Sequence, residues 1–149
     1  MNRKVQLFSV AGLIATFAIA LVGIVQLRAQ RASQVSGDFR NATAAEIRDT
    51  AGQVLLRGTF APADADEDDE VELVARLEPA TAGTNLSGEA EVEFQKSSPE
   101  VQEVELKLSG VQPGAELTLV IDGKTVTTAK ANLKGAVDVE VEVRAGARQ

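Results

Sequence analysis

The chain has 149 residues, 44% of them hydrophobic but only 3% aromatic, and a formal net charge of −7. It holds no Cys and no His, which excludes disulfides, thiolate or imidazole metal sites, a cysteine nucleophile and a histidine general base. There is no Trp or Tyr, and two of the five Phe (Phe8, Phe17) fall in an apolar N-terminal run, so almost nothing remains to build a stacking surface for bases or sugars.

That run, Val5 to Leu27, is free of charge and flanked by Arg3 and Lys4 before it and Arg28 and Arg31 after it. As a helix it would extend roughly 34 Å, enough to cross a hydrocarbon core of about 30 Å. Ala18-Ile19-Ala20 has the small-x-small form of a signal-peptidase site. It lies inside the apolar run, though, because Leu21 to Val25 continue it, and this favours an uncleaved transmembrane anchor. Cleavage there would instead give a secreted protein. The flanking charges nearly tie under the positive-inside rule. The expected orientation is residues 1–4 in the cytoplasm and the rest outside, in the periplasm or at the cell surface if the source is bacterial. Gly12, Thr16 and Ala20 recur every four residues on one helix face, a candidate surface for close packing against another membrane helix.

Residues 28–42 are polar with small side chains and read as a linker. Charge is divided sharply along the chain. The first 32 residues carry four basic side chains and no acid, so the remainder holds 11 of the 15 Lys and Arg against all 22 acids. A domain of that sign repels nucleic acid and anionic lipid, and neither is an expected ligand.

A β domain is expected over 43–145, with 146–149 as a tail. Asp49-Thr50-Ala51-Gly52 reads as a hairpin loop between strands 43–49 and 53–60. Residues 61–70 form an acidic run. In a calcium loop starting at Asp64, the residues Asp64, Asp66 and Asp68 occupy ligand positions and Glu70 follows. The loop lacks the glycine (Asp69 stands there) and the bidentate Glu (Ala75 stands there) that such a loop demands. A solvated loop is the simpler reading, with Ca2+ the candidate cofactor if there is one.

Strand signals follow at regular spacing. Val71, Leu73, Ala75 and Leu77 alternate with more polar neighbours, as do Ala90, Val92 and Phe94, then Val104, Leu106 and Leu108, then Leu117, Leu119 and Ile121, and finally the valines from Val137 to Val143. Ser97-Ser98-Pro99, Pro113-Gly114 and Asn132 to Gly135 read as turns. Asp122-Gly123 is the strongest hairpin signal, because a type I′ turn needs positive φ at both central residues. About seven or eight strands with one apolar face each predict an all-β fold: an antiparallel, immunoglobulin-like β-sandwich behind one N-terminal transmembrane helix.

SGEAEVEF, VELKLSGVQPGAELTLVIDGKTV and GAVDVEVEV together resemble a unit found in exported bacterial β-sandwich proteins of uncharacterised function. In that unit a strand ends at Gly and is followed by a Pro-Gly turn, a strand, an Asp-Gly hairpin and a last strand. The resemblance spans about residues 87–143, rests on turn chemistry, and implies a fold and no activity. Glu89, Glu91 and Glu93 share a strand face in water, which is not the cleft that carboxylate catalysis needs. Lys96 with Ser97 and Ser98 falls on a turn. The sequence therefore reads as a non-enzymatic membrane-anchored envelope module that is structural or binds a protein partner or its own copies, with no small-molecule substrate. The alternatives are a calcium-responsive module and a subunit of a membrane complex or surface filament.

Overall fold

A computed structural model of the chain describes residues 35–63 and 69–146. The expected anchor Val5–Leu27, its Gly12, Thr16 and Ala20, and the acids Asp64, Asp66 and Asp68 lie outside the described residues. Among the described residues there is no helix, and hence none long and apolar enough to cross a membrane.

The described chain is all-β. Its strands are β1 (Val35–Ser36), β2 (Ala44–Arg48), β3 (Val54–Thr59), β4 (Ala61–Pro62), β5 (Glu70–Pro79), β6 (Ser87–Gln95), β7 (Ser98–Ser109), β8 (Glu116–Ile121), β9 (Lys124–Lys130) and β10 (Val137–Arg144). They pair in the order β1-β10-β7-β6-β5-β3-β2-β8-β9, with β4 on β5 beside β3. Every pairing is antiparallel except β1 on β10, which is parallel. The path curls so that β9 and β10 approach one another. Strands from both halves of the path feed one apolar cluster, including Ile47, Leu56, Leu117, Leu119 and Ile121 from one half and Leu73, Val92, Val104, Leu106 and Val141 from the other. The consecutive strands β5, β6 and β7 lie side by side. The immunoglobulin order would place the third long strand in the other sheet, away from the fourth and fifth, so this expected arrangement is not the one found.

The sequence periodicity explains these strands. Alternation puts Leu73, Val92, Val104 and Val141 opposite one another in a single interior row across β5, β6, β7 and β10. Two interior rows further along, Gly88 stands with Leu77, Leu108 and Val137. A side chain there would sit 2.3 Å from Leu108 Cδ2, so glycine is what lets β6 approach β7 under a buried leucine. Lys96-Ser97 is the turn between β6 and β7, and Ser98-Pro99 already belong to β7. Asp122 and Gly123 have φ of 47° and 79°, the left-handed pair of a type I′ turn.

The linker reading fails for residues 35–42. β1 pairs with the end of β10, and Gly37 N donates to Arg144 O at 3.3 Å. Phe39 is only 1% exposed, and its N–H donates to Gln102 Oε1 at 2.7 Å. Gln102 occupies an interior position of β7 and is fully buried, the one buried polar side chain among the described residues. Its amide Nε2 donates to Pro99 O. A lone Phe in a polar segment has no periodicity to announce it, and here a single buried glutamine secures its backbone. The folded unit therefore begins by Val35.

Candidate functional site: a carboxylate face

The interior rows of β5, β6, β7 and β10 dictate what stands on the opposite face. One outer row runs Glu72, Glu93, Glu103, Glu142; the next Val74, Glu91, Glu105, Glu140; the third Arg76, Glu89, Lys107, Asp138. Nine of these twelve positions are acids, and Arg76 and Lys107 are the only bases among them. Directly opposed side chains on neighbouring strands have Cβ atoms about 4.5–5.5 Å apart, and like charges placed so are destabilising. The four-glutamate row therefore works against the fold that creates it.

The electrostatics follow from this crowding. Partial burial, and then a hydrogen bond shared with Glu105, push Glu91 up to about 7, although Lys107 works against the shift. A hydrogen bond shared with Glu70, aided by burial and by the charges of Glu70, Glu103 and Glu72, lifts Glu93 to about 7. Burial and then the charge and hydrogen bond of Glu140 raise Glu103. Glu105 goes the other way, held low first by its hydrogen bond from Lys107. Lys107 Nζ lies 2.6 Å from Glu105 Oε2 and 4.0 Å from Glu91 Oε2, so the one lysine inside the face is committed chiefly to Glu105.

The residues singled out in the sequence are only partly brought together here. Glu70, the last of the proposed calcium ligands, opens β5 opposite Gln95 and turns to Glu93 on the outer face. Among the described residues no group of three or more acids is disposed to hold a metal ion. Ser97 Oγ donates to Asp69 Oδ2 at 2.6 Å, and Lys96 N donates to Asp69 O at 2.8 Å, so the Ser–Lys turn is tied to the end of the acidic loop. The acids of β6, β7 and β10 are visible in the sequence as outward positions. Their mutual opposition depends on register, which single strands do not reveal.

A second carboxylate has a defined task. Asp122 accepts from Thr43 Oγ1 at 2.6 Å and from Ala44 N at 2.9 Å, and Thr43 N also donates to it. Burial alone would raise its pKa, but the Thr43 hydroxyl and the two backbone donors outweigh that and hold it below its ordinary value. The hairpin aspartate thus fastens the start of β2.

Shallow hollows flank the place where β3 leaves β5 and β4 takes over. One of about 470 Å³ is lined by Glu46, Arg57, Arg76 and Glu78 among others; the next, about 420 Å³, shares Thr59 and Arg76. Both open onto solvent and mix the two signs of charge. Comparison with protein-family models, with curated proteins and with solved structures finds no match to this chain.

Proposed function

We propose that the chain is a membrane-anchored structural or protein-binding module. Val5–Leu27 holds it in the membrane, and the β domain stands outside with its two halves facing each other as a sandwich. The observation that supports this reading is the make-up of the interior among the described residues. It holds aliphatic side chains, Phe39 and Phe60, and the one buried polar residue among those described, Gln102, is used to fasten the N-terminal segment. What such a domain offers to another molecule is its exterior, and a uniform feature there among the described residues is the acidic sheet face. The partner this chemistry favours is a protein surface rich in Lys and Arg, whether another envelope component or a second copy of the chain.

Crosslinking in the native membrane is the direct test. A discrete adduct is expected, and it should weaken when Glu91, Glu103 and Glu140 are changed together to Gln. Only monomer under efficient crosslinking defeats the reading. Alkaline extraction tests the anchor, which predicts that the full chain stays in the membrane pellet. A calcium titration separates this function from the metal reading of Asp64, Asp66 and Asp68, since a real site would raise the melting midpoint at millimolar calcium.

A further inference from the structure

Three carboxyl pairs cross the outer face, each over a different strand boundary. Glu91 on β6 stands directly opposite Glu105 on β7, Glu93 on β6 is diagonal to Glu70 on β5, and Glu103 on β7 is diagonal to Glu140 on β10. Two ionised carboxylates have acceptors and no donor, so a hydrogen bond between them exists only when one carries a proton. The ladder register forces the pairs together. Glu91 and Glu105 are direct opposites, and the other two pairs are diagonal neighbours in rows where Glu72, Glu93, Glu103 and Glu142 already stand in line. Side chains here are partly withdrawn from water, with Glu91 and Glu105 only 25% and 26% exposed.

We propose that these three pairs act as a proton-operated clamp on the solvent side of four strands. With a proton on each pair the neighbouring strands are tied together across the face; without it the same side chains push them apart. The inference concerns the fold itself and holds whatever the face binds.

The charged groups facing the pairs come from all four strands. From β5 come Glu70, Glu72 and Arg76, and from β6 come Glu89, Glu91 and Glu93. From β7 come Glu103, Glu105 and Lys107, and from β10 come Asp138, Glu140, Glu142 and Arg144. Lys107 is bonded to Glu105 and Arg144 to Glu142, while Arg76 stands opposite Glu89. No base lies between Glu93 and Glu103, which are direct opposites. Glu91 and Glu93 accordingly titrate at about 7, and Glu103 is also raised. In the unfolded chain each returns to the ordinary value of about 4.5, so between these limits the folded state binds more protons than the unfolded one. Stability conferred by the pairs is therefore fully present near pH 4.5 and is lost as pH rises through 7. Glu105 and Asp122, held low, lose their contributions only as pH falls below the ordinary carboxylate range, outside this window.

The test is the melting midpoint of the full chain in detergent micelles, followed by circular dichroism from about pH 8.5 to about pH 5. The wild type is expected to gain about 5 °C or more on acidification. The triple variant Glu91→Gln, Glu93→Gln, Glu103→Gln carries a permanent donor in each pair. It should melt at the alkaline end near the wild-type acid value and lose the slope. A wild-type midpoint that is flat or falls on acidification, or a triple variant that keeps the wild-type slope, overturns the clamp. Should the variant fail to fold, a carbon NMR titration of the wild-type carboxyls decides: at least two Glu midpoints near neutrality support the clamp, and none above the ordinary range overturns it.

Discussion

The two halves of the curled sheet treat their outer faces in opposite ways. On β3, β2, β8 and β9 charges are matched across strands. Arg57 stands between Glu46 and Glu78, Glu116 faces Lys130, Thr118 and Thr128 meet hydroxyl to hydroxyl at 3.2 Å, and Arg48 bonds to Glu46. On β5, β6, β7 and β10 the same kind of ladder sets glutamate against glutamate. Both halves share one apolar core and the same antiparallel hydrogen bonding, so neither the core nor the ladder requires the carboxylate face. The fold could have been built with both faces matched. What distinguishes the acidic half is therefore something other than the stability of the sheet.

Several substitutions would break or sharpen this contrast, and all can be followed by denaturation of the full chain in detergent. The largest effects test whether the halves are one unit. Ile47→Ala in the matched half and Leu106→Ala in the acidic half each empty a fully buried position, and each should cost roughly 2–5 kcal/mol. Both should shift one shared unfolding transition; two separable transitions would mean the halves unfold independently. Next come the two fastenings. Gln102→Leu leaves the buried Phe39 N–H without an acceptor and should cost about 1–3 kcal/mol, with faster amide exchange confined first to residues 35–42. Asp122→Ala removes the acceptor for Thr43 and Ala44 and puts Ala at a left-handed φ, for a similar cost of about 1–3 kcal/mol in the matched half. The smallest effects are the most diagnostic, because their signs differ. Glu93→Lys places a base between Glu72 and Glu103 and should stabilise the domain at about pH 8 by about 0.5–1 kcal/mol. Lys130→Glu, opposite Glu116, should destabilise it by about 0.2–1 kcal/mol. Equal signs for the two would erase the distinction between the halves.

Much of the matched half is legible in the amino-acid sequence. The Asp49–Gly52 loop, the Asp122-Gly123 hairpin and the alternation of β8 follow from turn chemistry and period two, and the folded domain contains all three. The inward rows of β5, β6 and β7 are equally plain. What stays hidden is whatever depends on the pairing of distant strands. Glu93 and Glu103 are each ordinary outward residues until register sets them face to face. Phe39 lies in a segment with no apolar rhythm, and its partner Gln102 is a polar residue in an interior row with Val71, Phe94 and Val143, so neither suggests the other. Between β8 and β9 the ladder shifts at Leu119 and Val120, which turns both Val126 and Ala129 inward, and strict alternation would not place both there. Local signals specify the strands; long-range register specifies the face.

The parallel pairing of β1 with β10 has a mechanical consequence. Val35 and Ser36 run alongside Val143 and Arg144 in the same direction, so the described domain begins and ends on adjacent strands that point the same way. Tension drawing residue 35 away from residue 146 would slide these strands past each other, loading their hydrogen bonds together in shear instead of peeling them one by one. The Phe39–Gln102 bond and the buried ring lie directly behind that junction, as a second restraint reached only after the first gives way. A domain tethered at one end and gripped at the other would meet its load first at this pairing, with the Phe39–Gln102 fastening behind it.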